Sequence, residues 1–247
     1  MDIINKSEKV KWEKVAHKFH PSWEPKLRPF IESDVYQSMR DEIRAQTGRG
    51  KRVVPVPEQT FRCFLETPLD EMKVVLMGMA PYHTLKDHKI VADGILMSSS
   101  NIEHLPPSLV QFYNGMEKEL YPHSENGILR RADLSYLCHQ GVLMFNASLT
   151  TELLKAGSHM KIWEPFTKYV FEEIFSLAGV PIVYLGEKAA KFERYYNSLQ
   201  WQFKITHPAA ASHQHTEWDS QGMFTAVNKV LKDYNNYQIQ WAEELPF

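Results

Sequence analysis

The chain has 247 residues, 43% hydrophobic and 23% charged, with a formal net charge of −2. That composition supports a sizeable core. Its near-neutral charge excludes a globally basic nucleic-acid binder but not a local basic patch. The N-terminal stretch MDIINKSEKVKWEKV has no apolar core of the signal-peptide kind, and no apolar run nears the roughly 18 residues of a membrane span. Cys63 and Cys138 are the only cysteines and form no C-x-x-C. Both are read as core residues of a protein from a reducing, cytoplasmic compartment.

In chain order, the first ~50 residues read as a helical arm packed on one α/β domain that spans 1–247. Four short apolar runs follow: Lys73–Gly78, Gly141–Phe145, Pro181–Leu185 and Gln202–Thr206. Runs apolar on both faces fit strands covered on both sides. Between them, Leu109, Phe112, Tyr113, Met116 and Leu120 recur at helical spacing. So do Phe166, Val170, Phe171, Ile174 and Phe175, and later Phe224, Val227, Val230 and Leu231. Strands alternating with helices predict a central four-stranded parallel sheet flanked by helices. Ligands of such sheets sit beyond the carboxyl ends of the strands. The residues to inspect are therefore Met79–His83, Asn146–Thr150, Gly186–Lys188 and His207–Ser212.

Each of these has a functional and a plain reading. Tyr82 is either a platform for a flat ligand or a ring packed on the sheet end. Asn146 offers a donor and an acceptor to the edge of a base, or caps a turn. His207, before Pro208, can polarise a carbonyl or an oxyanion, or bonds the local backbone. The spacing of His207, His213 and His215 matches no zinc pattern, so no metal is expected. The G-x-S-x-G, G-x-x-x-x-G-K-[ST] and G-x-G-x-x-G motifs are all absent, which removes the common hydrolase, P-loop and dinucleotide readings. No cofactor is expected.

Six segments, in order along nearly the whole chain, resemble the uracil-DNA glycosylase family. Pro55–Phe64 resembles the segment before the first strand. Met79-Ala80-Pro81-Tyr82-His83 stands where the family has its water-activating loop, glutamine-aspartate-proline-tyrosine-histidine. Leu105–Leu109 resembles the proline-rich loop, and Leu143–Thr150 the pyrimidine-reading strand. Ser158-His159 with Trp163–Thr167 resembles a further family segment. His207–Ser212 stands in place of the leucine-intercalation loop. The resemblance implies a protein that swings a pyrimidine out of single- or double-stranded DNA into a pocket. By that resemblance Asn146 reads the base, Tyr82 walls off its C5 side and His207 stabilises charge on the departing base. Met79, Ala80 and Met97 line the base pocket, while Pro106, Pro107, Ser108 and Ser212 hold the DNA backbone.

The departures from the family pattern cluster at the chemistry. Ala80 stands at the catalytic aspartate, Met79 at the glutamine beside it and Met97 at the phenylalanine that stacks on uracil. Ala211 stands at the leucine wedge, and Ala209 and Glu187 at phosphate-contacting serines. The first loop is longer, through Thr84–Asp93, and Asp93 is a candidate substitute carboxylate or a turn aspartate before Gly94. Methionine and alanine make the pocket softer and less polar, which suits a larger, modified pyrimidine. The resemblance therefore implies a monofunctional DNA glycosylase acting without the usual aspartate. The alternatives are an inactive DNA- or partner-binding homologue and a base flipper that modifies without excising. A cytoplasmic, bacterial or phage-encoded monomer is expected, with a protein partner left open.

Overall fold

The structure is a computed structural model that describes residues 9–197 and 201–246. The first eight residues of the expected arm lie outside the described residues. The arm proper is a row of short 3-10 turns, then α1 (Glu24–Ile31), α2 (Asp34–Gly48), β1 (Val53–Val54) and α3 (Arg62–Glu66). Next come β2 (Val74–Gly78), β3 (Leu85–Lys86), β4 (Lys89–Ile90), α4 (Pro107–Leu120), α5 (Ser135–Cys138) and β5 (Val142–Asn146). The remainder is β6 (Thr151–Glu152), α6 (Met160–Val170), α7 (Ser176–Ala178), β7 (Ile182–Leu185), α8 (Glu187–Ala190), β8 (Gln202–Ile205), α9 (Pro208–Gln214) and α10 (Met223–Asn235).

The four apolar runs form one parallel sheet in the order β5-β2-β7-β8. Every residue of β2, β5 and β7 is buried, as strands covered by helices on both faces must be. β5 and β8 are the edge strands, and of the four only β8 has an exposed residue, Lys204. The chain leaves β2 towards β5, then returns to the other side of β2 for β7. Adjacent strands served from opposite sides leave a crevice beyond their carboxyl ends. One continuous hydrophobic cluster runs from Val10 in the arm through the sheet to Ala242. Trp23 locks the arm to it, with Nε1 donating to the Thr67 carbonyl at 2.7 Å. Cys63 and Cys138 are both free and buried. Among the described residues, no helix is long and apolar enough to cross a membrane.

Three features differ from the sequence reading. β1 and β6 pair as a two-residue antiparallel ladder, Val53 with Glu152 and Val54 with Thr151. The lengthened first loop folds into the β3–β4 hairpin. Asp87 and His88 turn it with φ of 50° and 62°, the positive values that a tight two-residue hairpin turn demands. The stretch after His207, read as a loop, is helical as α9. Pro208 takes its first position, where a missing N–H costs nothing, and three alanines follow.

Candidate active site

Register brings the strand ends together. Gly78 of β2 pairs with Asn146 of β5, and Leu185 of β7 with Ile205 of β8. Beyond them opens a cavity of about 930 Å³. Met79–His83, Leu96, Met97, Pro107, Ser108, Gly186–Lys188 and Lys204–His207 all line it. Ala209, Ala210, Ser212 and His213 of α9 close one side. A Cβ at Gly78 would stand 2.3 Å from Leu96 Cδ1, so any larger residue there would have to displace the leucine side chain. Gly186, at φ 87°, lets the chain turn past His207, whose Cβ would lie 3.2 Å from a Cβ added at Gly186.

His207 caps α9. Its Nδ1 accepts the Ala209 N–H at 3.0 Å, which leaves the ring proton on Nε2. Burial disfavours the charged ring and pulls its pKa from the ordinary 6.5 down to about 4. At neutral pH the cavity therefore contains a neutral imidazole with one N–H to give. Such a donor stabilises negative charge that develops on an oxygen while itself carrying none. The end of β8 beneath it is pinned, because Trp218 Nε1 donates to the Thr206 carbonyl at 2.8 Å.

The same burial makes stability depend on pH. As pH falls through 6.5 the unfolded chain protonates His207, while the folded chain does not until about 4. The unfolded state binds more protons in that window, so stability falls with falling pH. Between pH 7.5 and 5 this one group should remove about 2 kcal/mol. Urea unfolding at the two pH values, with His207→Gln as comparison, measures it. A His207→Gln chain that loses as much stability as the native one would contradict the assignment.

Tyr82 is clamped. Its hydroxyl donates to the Met97 carbonyl at 3.1 Å and meets Ser108 Oγ at 2.7 Å. Burial raises its pKa, so it stays a neutral phenol. Met97 holds φ at 59°, a conformation that costs a non-glycine residue about 1 kcal/mol or more and turns its carbonyl to Tyr82. The turn itself is tied to β5, with Ala147 N–H donating to the Gly78 carbonyl and Ser148 N–H to that of Met79.

Several expected site residues stand elsewhere or are otherwise engaged. Asp93 does not line the cavity and is fully buried. Its carboxylate accepts from Ile95 N–H at 3.1 Å, Ser100 N–H at 2.8 Å, Ser98 Oγ at 2.6 Å and Arg62 Nη1 at 2.8 Å. Buried away from the cavity under four donors, three of them on Oδ2, it holds the loop that carries Met97. The Ser108 hydroxyl is committed to Tyr82, so a phosphate would meet the backbone of that helix start. Pro106 is buried at the N-cap of α4 and Pro107 is exposed. Ser212 Oγ donates to the Pro208 carbonyl at 3.3 Å. Ala211 is buried, and Ala210 is the exposed residue of that turn. Asn146 ends β5 with 4% exposure and does not line the cavity. Its Oδ1 is buried without a hydrogen-bond partner, a condition that costs about 1–3 kcal/mol.

Sequence reasoning missed Leu96, Ala156 and Gln221 as lining residues. No local signal marks Ala156 or Gln221. Leu96 could have been found from its place beside Met97. Among the described lining residues the one carboxylate is Glu187, exposed and beyond Gly186. Lys204 pairs with Glu193, leaving Lys188 as the second cation of that wall.

A parallel sheet wrapped by helices, with a cavity of this size at its topological switch, defines an α/β protein with a ligand site beyond its strand ends. No protein-family model matches the chain. It is 30% identical to the uracil-DNA glycosylase of Pseudomonas aeruginosa strain UCBPP-PA14 over 229 residues, covering 91% of this chain and 95% of the relative. With the uracil-DNA glycosylase of Agrobacterium fabrum it shares 31% over 235 residues, covering 91% and 90%. Among solved structures, mimivirus uracil-DNA glycosylase shares the fold with a TM-score of 0.79 at 22% identity, over 98% of this chain and 96% of that one. The chain belongs to the uracil-DNA glycosylase family.

Proposed function

We propose that the chain is a base-flipping DNA glycosylase that hydrolyses the N-glycosidic bond of a uracil-related or modified pyrimidine without an aspartate in its first turn. A single observation carries the reading: a neutral His207 whose Nε2 proton is free to donate within the strand-end cavity. In the reaction the bond between the base nitrogen and C1′ breaks and its electron pair moves onto the base. His207 donates to the base oxygen where that charge collects. A water oxygen bonds to C1′ and its proton passes to solvent. Tyr82 bounds the ring, Asn146 reads its edge, and Pro107, Ser108 and Ser212 flank the DNA backbone. The relatives named uracil-DNA glycosylase support both the reaction and the DNA partner.

A second reading is favoured by Ala80, which leaves the turn without a carboxylate, and by Ala211, Ala209 and Glu187 at the positions of the wedge and two phosphate-contacting serines. It is a DNA-binding or partner-binding homologue with no excision. Oligonucleotides carrying uracil, hydroxymethylated or glucosylated pyrimidines, thymine or cytosine separate the two, with abasic sites scored by alkaline cleavage. Excision of any one of them supports the first reading. Tight binding with no abasic product on any of them overturns the first reading, and an unchanged base mass then supports the second.

Ala80→Asp restores a carboxylate where water would be oriented. One preorganised catalytic group is worth ~10²–10³ in rate, so uracil excision should rise by up to that factor. An unchanged rate would mean that the surrounding pocket no longer places water there.

A further inference from the structure

Asn146 is the residue best suited to read a base, yet it does not line the cavity and an apolar side chain lies close beside it. Leu96 is tied by its backbone to β5, its N–H donating to the Met144 carbonyl at 3.0 Å. One point fixes the geometry of the notch. Where a Cβ on Gly78 would stand, Leu96 Cδ1 lies 2.3 Å away and Asn146 Oδ1 lies 3.0 Å away. The methyl and the amide oxygen therefore share the floor above Gly78. On the open side Leu96 and Met97 line the cavity, and Asn146 does not. Leu96 itself is 2% exposed and lines the cavity. The amide oxygen beside it is buried with no hydrogen-bond donor. Buried polar atoms almost always have a partner, so an unpaired acceptor at a cavity floor marks a place for an N–H from a ligand.

We infer that Leu96 is a lid over the Asn146 amide and sets which base this pocket accepts. A flipped pyrimidine must push the leucine out of the notch before its ring N–H reaches Asn146 Oδ1. Until then the part of the pocket next to Asn146 presents Met79, Ala80, Leu96 and Met97, an apolar wall that does not distinguish one ring edge from another. Affinity is reduced by the fraction of time the lid is closed. The inference rests on the glycosylase reading for its substrate class. Leu96 acts through Asn146 and is a positioning residue.

The test compares native protein, Leu96→Ala, Asn146→Ala and the double variant on single-stranded DNA containing uracil. Leu96→Ala is expected to raise kcat/KM at least about tenfold, mainly through a lower KM, and the gain should vanish in the double variant. A gain that survives without Asn146 overturns the lid, because it would then be simple loosening. Where the native chain excises, no gain in a Leu96→Ala chain whose melting curve shows it folded also overturns it. Should that variant unfold, Leu96→Val is expected to show the same change in smaller measure, and its failure counts equally.

Free uracil gives a readout independent of chemistry. In protein labelled with 15N-asparagine, uracil should shift the Asn146 side-chain amide signal more, and at lower concentration, in Leu96→Ala than in the native chain. Equal titrations overturn the lid. Absence of excision from every variant, with this difference in binding present, upholds the lid and overturns the excision reading. Excision by the native chain at a rate that Leu96→Ala leaves unchanged does the reverse.

Discussion

His207→Asn is expected to lower pyrimidine excision by ~10²–10³-fold while leaving the fold nearly as stable as before. The ring does two jobs with two nitrogens. Nδ1 accepts the Ala209 N–H and caps α9, and Nε2 carries the proton offered to the substrate. Asparagine is among the best N-caps and would keep the first job. It is too short to put a donor where Nε2 stands, so the second is lost, and a single such donor is worth about 3–4 kcal/mol of barrier. His207→Ala loses both, adding about 1 kcal/mol of destabilisation from the missing cap. His207→Gln, with a longer amide, should retain part of the rate. Single-turnover kinetics and urea unfolding on the three variants check this order. Excision by His207→Asn at the native rate would remove His207 from the chemistry.

The readable parts of the fold and the unreadable parts differ in where their information lies. β2, β5 and β7 were legible to within a residue because burial on both faces writes itself into a local apolar run, and β8, only partly buried, still showed Phe203 and Ile205 in alternation. β1 and β6 pair residues about a hundred positions apart through two residues each, and no window contains that. The β3–β4 turn rests on Asp87 and His88 at positive φ instead of the usual Asn-Gly, so its hairpin signal was silent. α9 was legible in principle, since a proline and three alanines after a capping residue form a helix start. The motif resemblance drew it as a loop.

The site divides in the same way. Strand-end position picked out Met79, Ala80, Tyr82 and His207, and the motif resemblance Met97, and all five line one cavity. What stands in front of a side chain is a packing fact, and so the cover over Asn146 and the pairing of Ser108 with Tyr82 could not be read from spacing. Asp93 shows the limit most clearly. A carboxylate before a glycine near a strand end has the same local sequence whether it faces substrate or an arginine 31 positions earlier.

Asp93→Ala is accordingly expected to damage stability and spare chemistry. The carboxylate is fully buried and accepts four hydrogen bonds, one from Arg62. Arg62 also reaches both oxygens of Asp133, at 2.9 and 2.8 Å, and Glu66 at 3.2 Å. Deleting one partner of a buried ion pair costs about 3–5 kcal/mol, because the other charge and its donors remain buried without compensation. In a chain of this size that lowers the melting midpoint by roughly 10 °C. Asp133 and Glu66 still hold the guanidinium, so the larger share of the loss comes from the orphaned Ile95, Ser98 and Ser100 donors. Removing Arg62 as well should then cost less than the sum of the two single changes, by more than about 0.5 kcal/mol. Excision measured well below the midpoint should fall less than tenfold, since Asp93 reaches the cavity only through the loop that positions Leu96 and Met97. If instead a demonstrably folded Asp93→Ala chain lost ~10²-fold or more in rate, on the scale of a catalytic group, the buried carboxylate would have to be reassigned from the scaffold to the reaction.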